Sequence, residues 1–364
     1  MTEAAHTAPE ILVRRENEVG RLTLNRPAAL HALTLGMCQA MTEALLAWRL
    51  DPGTKLVLID HSGERGFCAG GDIRRVAESA ARDGVGARRF FHTEYRLNHL
   101  LFAYEKPVVA IIDGVTMGGG VGISAPAHYR IATERTLFAM PETGIGLFPD
   151  VGGGWFLPRL PGRTGLWLAL TGARLKAADC LALGVATHFV ESARIEALKA
   201  TLLAASYGDD PDGAIQSVLA GFAGDPGPPP LAAQRPQIDR LFAASSVEAI
   251  FAALEADGGD WALAQLKTLR AKSPQTLKVA YRQLAIGAGL SDFADNMAME
   301  YRLSARVAQR HDFIEGVRAV IVDKDNAPRW SPASLEEVTP ALIDEIFAPL
   351  APREEWTPLP ELAP

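Results

Sequence analysis

Two glycine-rich bends, Phe67-Cys-Ala-Gly-Gly-Asp72 and Met117-Gly-Gly-Gly-Val-Gly122, each follow an apolar run and each lead into a helical pattern. A chain that repeats this join must bring strand ends and helix starts together, which points to an α/β fold with layered sheets. With no Cβ in the way, backbone N–H groups of such a bend can face outward. The helix dipole behind them adds to their pull on negative charge. Two N–H groups converging on one point would form an oxyanion hole, the device acyl chemistry needs where a carbonyl oxygen gains charge. Either bend taken alone is equally well explained by close packing of helix on sheet.

Apolar periodicity supplies the surrounding elements. Ile11–Arg15 and Arg21–Asn25 read as an opening hairpin, and Thr34 caps a helix running to about Leu50. Lys55–Asp60 and Pro107–Asp113 read as buried strands, and Tyr129–Ala132 and Thr136–Met140 as short ones. Asp72–Ala81 and Arg88–Tyr104 read as helices, and His61–Gly71 as loop. These patterns place an α/β core at residues 11–200. The Gly208-to-Gly213 and Gly224-to-Pro230 breaks mark 201–237 as a linker region. Residues 238–350 read as mostly helical, with a capping box at Ser245–Glu248, a Ser273-Pro274 start closed by Gly287 and Gly289, and a helix opened by Ser291. Residues 351–364 read as a tail or a strap across another surface.

Composition excludes several classes. The net charge of −7 leaves no overall positive field for a nucleic-acid backbone, while a small anionic ligand stays compatible with it. Cys38, Cys68 and Cys180 are neither paired nor spaced as metal knuckles, which fits a reducing compartment. Pro107–Ala127, the most apolar window, contains Asp113 and five glycines and does not read as a membrane span. Met1–Glu10 lacks the basic and apolar regions of a secretory signal, so the expected location is cytoplasmic.

No Gly-x-Ser-x-Gly elbow, Walker loop, His-Glu-x-x-His or cysteine pair is present. Gly120-Val-Gly-Ile-Ser-Ala125, with Glu142 downstream, imitates a dinucleotide-binding fingerprint. It fails on length, because Pro126 and the strand near Tyr129 leave less than the roughly 10–12 residues a crossover needs. What remains is Met140-Pro-Glu-Thr-Gly-Ile-Gly-Leu-Phe-Pro-Asp150, in which Glu142 and Asp150 lie eight residues apart. A regular helix would separate them by about 12 Å along its axis. Gly144, Gly146 and Pro149 force a bend instead, so both acids can reach one pocket, where burial would raise a pKa toward general acid or base work. Two surface acids capping turns is the alternative.

Taken in order, Leu22-Thr-Leu-Asn-Arg-Pro27 with Ala32-Leu33, Phe67-Cys-Ala-Gly-Gly-Asp-Ile73, Gly114-Val-Thr-Met-Gly-Gly-Gly120 and Phe138-Ala-Met-Pro-Glu142 resemble the crotonase superfamily, also called the enoyl-CoA hydratase/isomerase family. The resemblance implies a crotonase-type core of repeated ββα units. It also implies Gly71 and Gly119 as the oxyanion hole for an acyl-CoA thioester, with Arg26 and Ala69 near the CoA. A hydratase of the family has a glutamate shortly after the second glycine cluster, where this chain has Gly122, and a second at the position of Glu142. The run Glu142 to Arg159 and the segment Asp312 to Asp325 resemble instead the branch that hydrolyses 3-hydroxyisobutyryl-CoA in valine breakdown. That branch implies Glu142 and Asp150 as catalytic carboxylates and Glu94 as a substrate contact. Glu94, Gly119, Glu142 and Asp150 together form the expected substrate-binding set.

The implied reaction is hydrolysis of a short branched 3-hydroxyacyl-CoA thioester. It needs no metal and no cofactor, because CoA is part of the substrate and product, and the resemblance also implies a homo-oligomer. Hydration or isomerisation of an enoyl-CoA, and non-catalytic acyl-CoA binding, are the rival readings. His31 and His92 match no catalytic position and read as packing or surface.

Overall fold

The computed structural model describes residues 8–362. Its strands are β1 (Ile11–Glu16), β2 (Val19–Leu24), β3 (Leu56–His61), β4 (Gly66–Cys68), β5 (Val108–Ile112), β6 (Val115–Met117), β7 (Tyr129–Ala132), β8 (Leu137–Ala139) and β9 (His188–Phe189). The hairpin β1-β2 is antiparallel, and β3, β5, β7 and β9 add to it in parallel, giving the order β1-β2-β3-β5-β7-β9. A second, smaller parallel sheet has the order β4-β6-β8.

Parallel strands must be covered on both faces, and period-two alternation decides which side chain goes where. Leu22, Leu24, Val57, Ile59, Val108, Ala110 and Ile112 join the main core. Val19, Leu56, Leu58, Val109 and Ile111 point to the other face and form a second cluster.

The helices that cover these faces are α1 (Leu35–Leu50), α2 (Ile73–Ala80), α3 (Val85–Phe102), α4 (Gly119–Ser124), α5 (Gly153–Phe156), α6 (Thr164–Thr171), α7 (Ala177–Ala182), α8 (Ile195–Ala204) and α9 (Pro211–Ala220). The remainder are α10 (Arg235–Leu241), α11 (Val247–Asp257), α12 (Asp260–Arg270), α13 (Pro274–Gly287), α14 (Phe293–Val307), α15 (His311–Val317) and α16 (Pro340–Phe347). Thr34 caps α1 as expected, its Oγ1 accepting the Met37 N–H. Two other caps fall one residue later than the sequence suggests. Ser246 accepts from Ala249, and Asp292 accepts from Ala294.

Three features depart from the sequence reading. Strands β4 and β6 fall within stretches read as loop and turn, because three residues are too few to show a period. The expected linker, 201–237, is in large part structured: Leu202, Ile215 and Leu219 pack on the second face of the main sheet, and the connections 205–210 and 221–229 lack helix or strand. Its prolines and glycines mark two short connections rather than a boundary. The helical region has no core of its own, since Leu277, Phe293 and Phe313 belong to the same cluster as Phe148, Leu157 and the sheet residues.

Beyond α16 the chain runs back over α3 as a strap. Trp356 is 4% exposed, its Nε1 donates to the His92 carbonyl at 3.3 Å, and its ring meets His99 edge-on. Arg96 donates to the Thr357 carbonyl at 2.8 Å, and Arg49 to that of Glu361 at 2.9 Å. None of the described helices is long and apolar enough to cross a membrane.

Because α3 carries Glu94, the strap is tied to the centre of the molecule. Trp356→Ala should cost about 3 kcal/mol of stability, the usual range for removing a buried tryptophan. Urea unfolding of the two proteins checks this, and a difference under about 1 kcal/mol would show that the strap packs without stabilising.

Candidate active site

The two glycine bends meet. Gly70 and Gly118 sit in left-handed backbone, at φ +118° and +47°, and a Cβ built on Gly118 would lie 3.4 Å from the Gly70 Cα. The two bends lie in contact, and the positive φ at both residues is what favours glycine there. Gly119 opens α4 and is more tightly confined, since a Cβ there would lie 2.6 Å from Glu94 Oε1. Among the described residues, no main-chain or side-chain acceptor takes the N–H of Gly71 or Gly119. Both residues line one cavity of ≈ 70 Å³, together with Ala69, Glu94, Glu142 and Asp150.

The segment after β8 delivers the two acids as the glycines require. Glu142–Ile145 makes a single 3₁₀ turn that ends at Gly146, whose φ is +70°. Gly146 and Gly316 let α15 lie directly on this turn, because a Cβ on either would collide with the facing backbone of Asp312 or Ile145. The chain then turns inward through Phe148, which is fully buried, and reaches Asp150 on the same cavity. Next come Val151 at φ +53° and Gly152 at φ +96°, which start α5. A β-branched residue in that region is strained and must be held by its surroundings.

Three carboxyl groups thus share one desolvated space, and Glu94, Glu142 and Asp150 are 2%, 4% and 4% exposed. Burial, then the facing Asp150 and Glu142, pushes the Glu94 carboxyl well above the ordinary range. Burial and Asp150 do the same to Glu142, opposed in part by the Lys272 ammonium. Asp150 is pushed up to about 7 by burial, while the Tyr95 hydroxyl, which donates to Oδ2 at 2.8 Å, favours its ionised form. Like charges this close titrate as a unit. Glu94 Oε1 and Glu142 Oε2 accept no donor from the described protein. The arrangement offers two unpaired N–H donors for a polarised carbonyl oxygen and a set of acids for proton transfer or attack beside it.

Gly122 adds a steric fact to the sequence argument. A Cβ there would lie 2.6 Å from Val151 Cβ and 2.7 Å from Asn98 Nδ2. The space in which a glutamate side chain would start is filled by packed neighbours.

Arg26 does not line the cavity. Its guanidinium is bound by Asp72 and Glu10, each at 3.1 Å, and by the Ala32 carbonyl, which ties the first loop to the first bend. Ala69 does lie on the cavity wall. His31 is buried, accepting the Arg26 N–H at Nδ1, and burial lowers its imidazole pKa to about 4. His92 packs edge-on against Tyr301, away from the acids.

Sequence reasoning missed Tyr95, the partner of Asp150, and Glu300, which accepts the N–H groups of Gly152 and Gly154 from α14. An acid on the buried face of an amphipathic helix, in line with Phe293, Met297 and Ser304, was the available signal for Glu300.

Comparison with known proteins follows the same lines. The sequence matches the Enoyl-CoA hydratase/isomerase family over residues 19–347. It is 49% identical to 3-hydroxyisobutyryl-CoA hydrolase, mitochondrial, of Xenopus tropicalis, over 94% of this chain and 89% of that one. Identity to the protein of the same name is 48% in Danio rerio (95% and 91% covered) and 44% in Homo sapiens (96% and 91%). Among solved structures, a carnitinyl-CoA dehydratase from Mycobacterium thermoresistibile superposes with a TM-score of 0.90 at 42% identity, covering 96% of this chain and 99% of that one. An enoyl-CoA hydratase from Rhodobacter sphaeroides 2.4.1 gives 0.87 at 39%, covering 96% and 100%. The curated relatives overturn the expected cytoplasmic location, because the three vertebrate hydrolases named above are mitochondrial proteins. Glycine bends, acid-bearing turn and helical extension all lie within the matched span, and the chain belongs to the enoyl-CoA hydratase/isomerase family.

Proposed function

We propose that this protein hydrolyses a short branched 3-hydroxyacyl-CoA thioester, 3-hydroxyisobutyryl-CoA foremost, to the free 3-hydroxy acid and CoA, a step of valine breakdown. The observation that carries this reading is the convergence of Glu94, Glu142 and Asp150 with two unpaired glycine N–H groups on one small cavity. The names of the vertebrate relatives support it.

In this reading the thioester oxygen rests against the N–H groups of Gly71 and Gly119, which stabilise the charge it gains on attack. In its ionised form Glu142 drives attack at the carbonyl carbon, either by deprotonating a water or directly, in which case the mixed anhydride it forms is then hydrolysed by water to the free acid and the restored carboxylate. The C–S bond then breaks, and Asp150, poised near pH 7, supplies the proton for the departing thiolate. Glu94 accepts a hydrogen bond from the substrate. The route uses no metal and no cofactor. Two solved relatives are named dehydratase and hydratase, and water addition to a double bond is the competing reading. The filled space around Gly122 argues against it.

Glu142→Gln should lower thiol release from 3-hydroxyisobutyryl-CoA by at least about 100-fold with the fold intact. A thiol-reactive dye follows the rate and circular dichroism the fold, and full activity in folded variant would remove Glu142 from the mechanism. The parent enzyme should release CoA from 3-hydroxyisobutyryl-CoA faster than from 3-hydroxypropionyl-CoA. It should leave the absorbance of crotonyl-CoA unchanged, whereas bleaching of crotonyl-CoA as the faster reaction would establish the competing reading.

The raised pKa of Asp150 also has a thermodynamic sign. Unfolded, the group ionises near pH 4; folded, it keeps its proton up to about pH 7. Between these values the native state binds more protons, so this residue's contribution makes stability fall as pH rises. Asp150→Asn cannot ionise and should gain stability relative to the parent between pH 4 and pH 8, measured by thermal melts. Parallel melting curves for the two proteins across that range would contradict the raised value.

A further inference from the structure

The turn that carries Asp150 is gripped from behind by a carboxylate that does not line the cavity. Glu300 on α14 is fully buried, and it accepts the Gly152 N–H at Oε2 (2.8 Å) and the Gly154 N–H at Oε1 (2.9 Å). Two more donors fix the carboxylate itself, Asn296 Nδ2 at 3.0 Å and Gln283 Nε2 at 3.1 Å. Gln283, from α13, also donates to the Pro149 carbonyl at 2.7 Å. The backbone on both sides of Asp150 is therefore tied to the same buried polar cluster.

The fit leaves no slack. A Cβ on Gly154 would lie 2.6 Å from Asn296 Oδ1 and 3.1 Å from Glu300 Oε1, and Gly287 of α13 lies so close that a Cβ on it would collide with the Gly154 carbonyl. Inside the grip sit the two left-handed residues, Val151 and Gly152. Left-handed backbone at valine costs about 1–3 kcal/mol and persists only where neighbours over-determine it. The paired N–H acceptors of Glu300 supply that determination at the residue after Asp150. From the other side, Tyr95 sets the carboxylate through its hydroxyl.

We propose that Glu300 is a positioning residue for the reaction. By holding the N–H groups of Gly152 and Gly154 it fixes the Val151-Gly152 turn, and so the reach of the Asp150 carboxylate toward the thioester, making turnover depend on α13 and α14. The inference rests on the role given to Asp150 above. An acid buried only for stability would reveal itself differently, since replacing it would move the melting temperature without separating kcat from KM.

Glu300→Gln keeps the volume and one acceptor oxygen but turns an NH₂ group toward the second main-chain N–H, so one of the two holds is lost. A misplacement of about 1 Å at a reacting group can cost about 100-fold in rate. The expected result is a kcat reduced about 10- to 100-fold with KM within about threefold of the parent. Combined with Asp150→Asn, Glu300→Gln should add nothing further, since a residue that acts through Asp150 has no effect once Asp150 is gone. Asn296→Ala removes a single donor to Glu300 and should give a smaller kcat loss of the same kind, which keeps the proposal testable if Glu300→Gln does not fold.

Parent-like kcat in folded Glu300→Gln overturns the proposal, or in folded Asn296→Ala should the former not fold. So does a loss carried by KM, or one that multiplies with that of Asp150→Asn. Full activity of Asp150→Asn alone would instead defeat the role assigned to Asp150, and with it the object that Glu300 is said to position. An inactive Asp150→Asn beside a parent-like Glu300→Gln would defeat this inference only.

Discussion

Three carboxyl groups removed from water in one small space form the arrangement that the rest of the molecule has to accommodate. Left alone, such groups would separate or draw in solvent, because each loses hydration and faces like charge. Here they come from different elements, Glu94 from α3 and Glu142 and Asp150 from the two ends of one bent segment. The fold therefore keeps the helix and the segment from drifting apart. It does so with close approach at Gly119, where a Cβ would run into Glu94, and with positive-φ backbone at Gly70 and Gly118 that other residues rarely adopt.

The helical region after the sheet is best understood in these terms. It contributes side chains to the single large core and adds no second one. Helix α15 lies on the Glu142 turn at Gly146, while α13 and α14 hold the backbone from Pro149 to Gly154. The strap that follows α16 clamps α3, which bears Glu94. Each acid in the cavity thus has a support drawn from the carboxyl-terminal part of the chain.

Much of this was visible in the residues themselves. The glycine bends, the Thr34 cap, the buried strands and the bend between Glu142 and Asp150 all follow from local chemistry: missing side chains, a hydroxyl at a helix start, apolar runs, and proline with glycine inside a short segment. Features that depend on what approaches from elsewhere were not visible. Strands β4 and β6 are too short to carry a pattern of their own and exist because each finds a neighbour. The proline-rich stretch suggested a boundary, yet α9 beside it packs on the sheet through Ile215 and Leu219. Nothing in the sequence around Arg26 announces the ion pairs that Asp72 and Glu10 make with it. Glu300 bonds to Gly152 across 148 residues of sequence, a separation no local pattern reports.

The crowding at Gly122 bears on how one scaffold diverges into several reactions. Because Val151 and Asn98 already fill the volume beside that glycine, an acid cannot be acquired there by a single codon change. The neighbours would have to shrink first, and Val151 adjoins Asp150 in the turn held by Glu300. A path that introduced an acid there would pass through intermediates loosened at the turn that carries Asp150. The two branches are thus separated by a valley in packing as well as by a difference in residues.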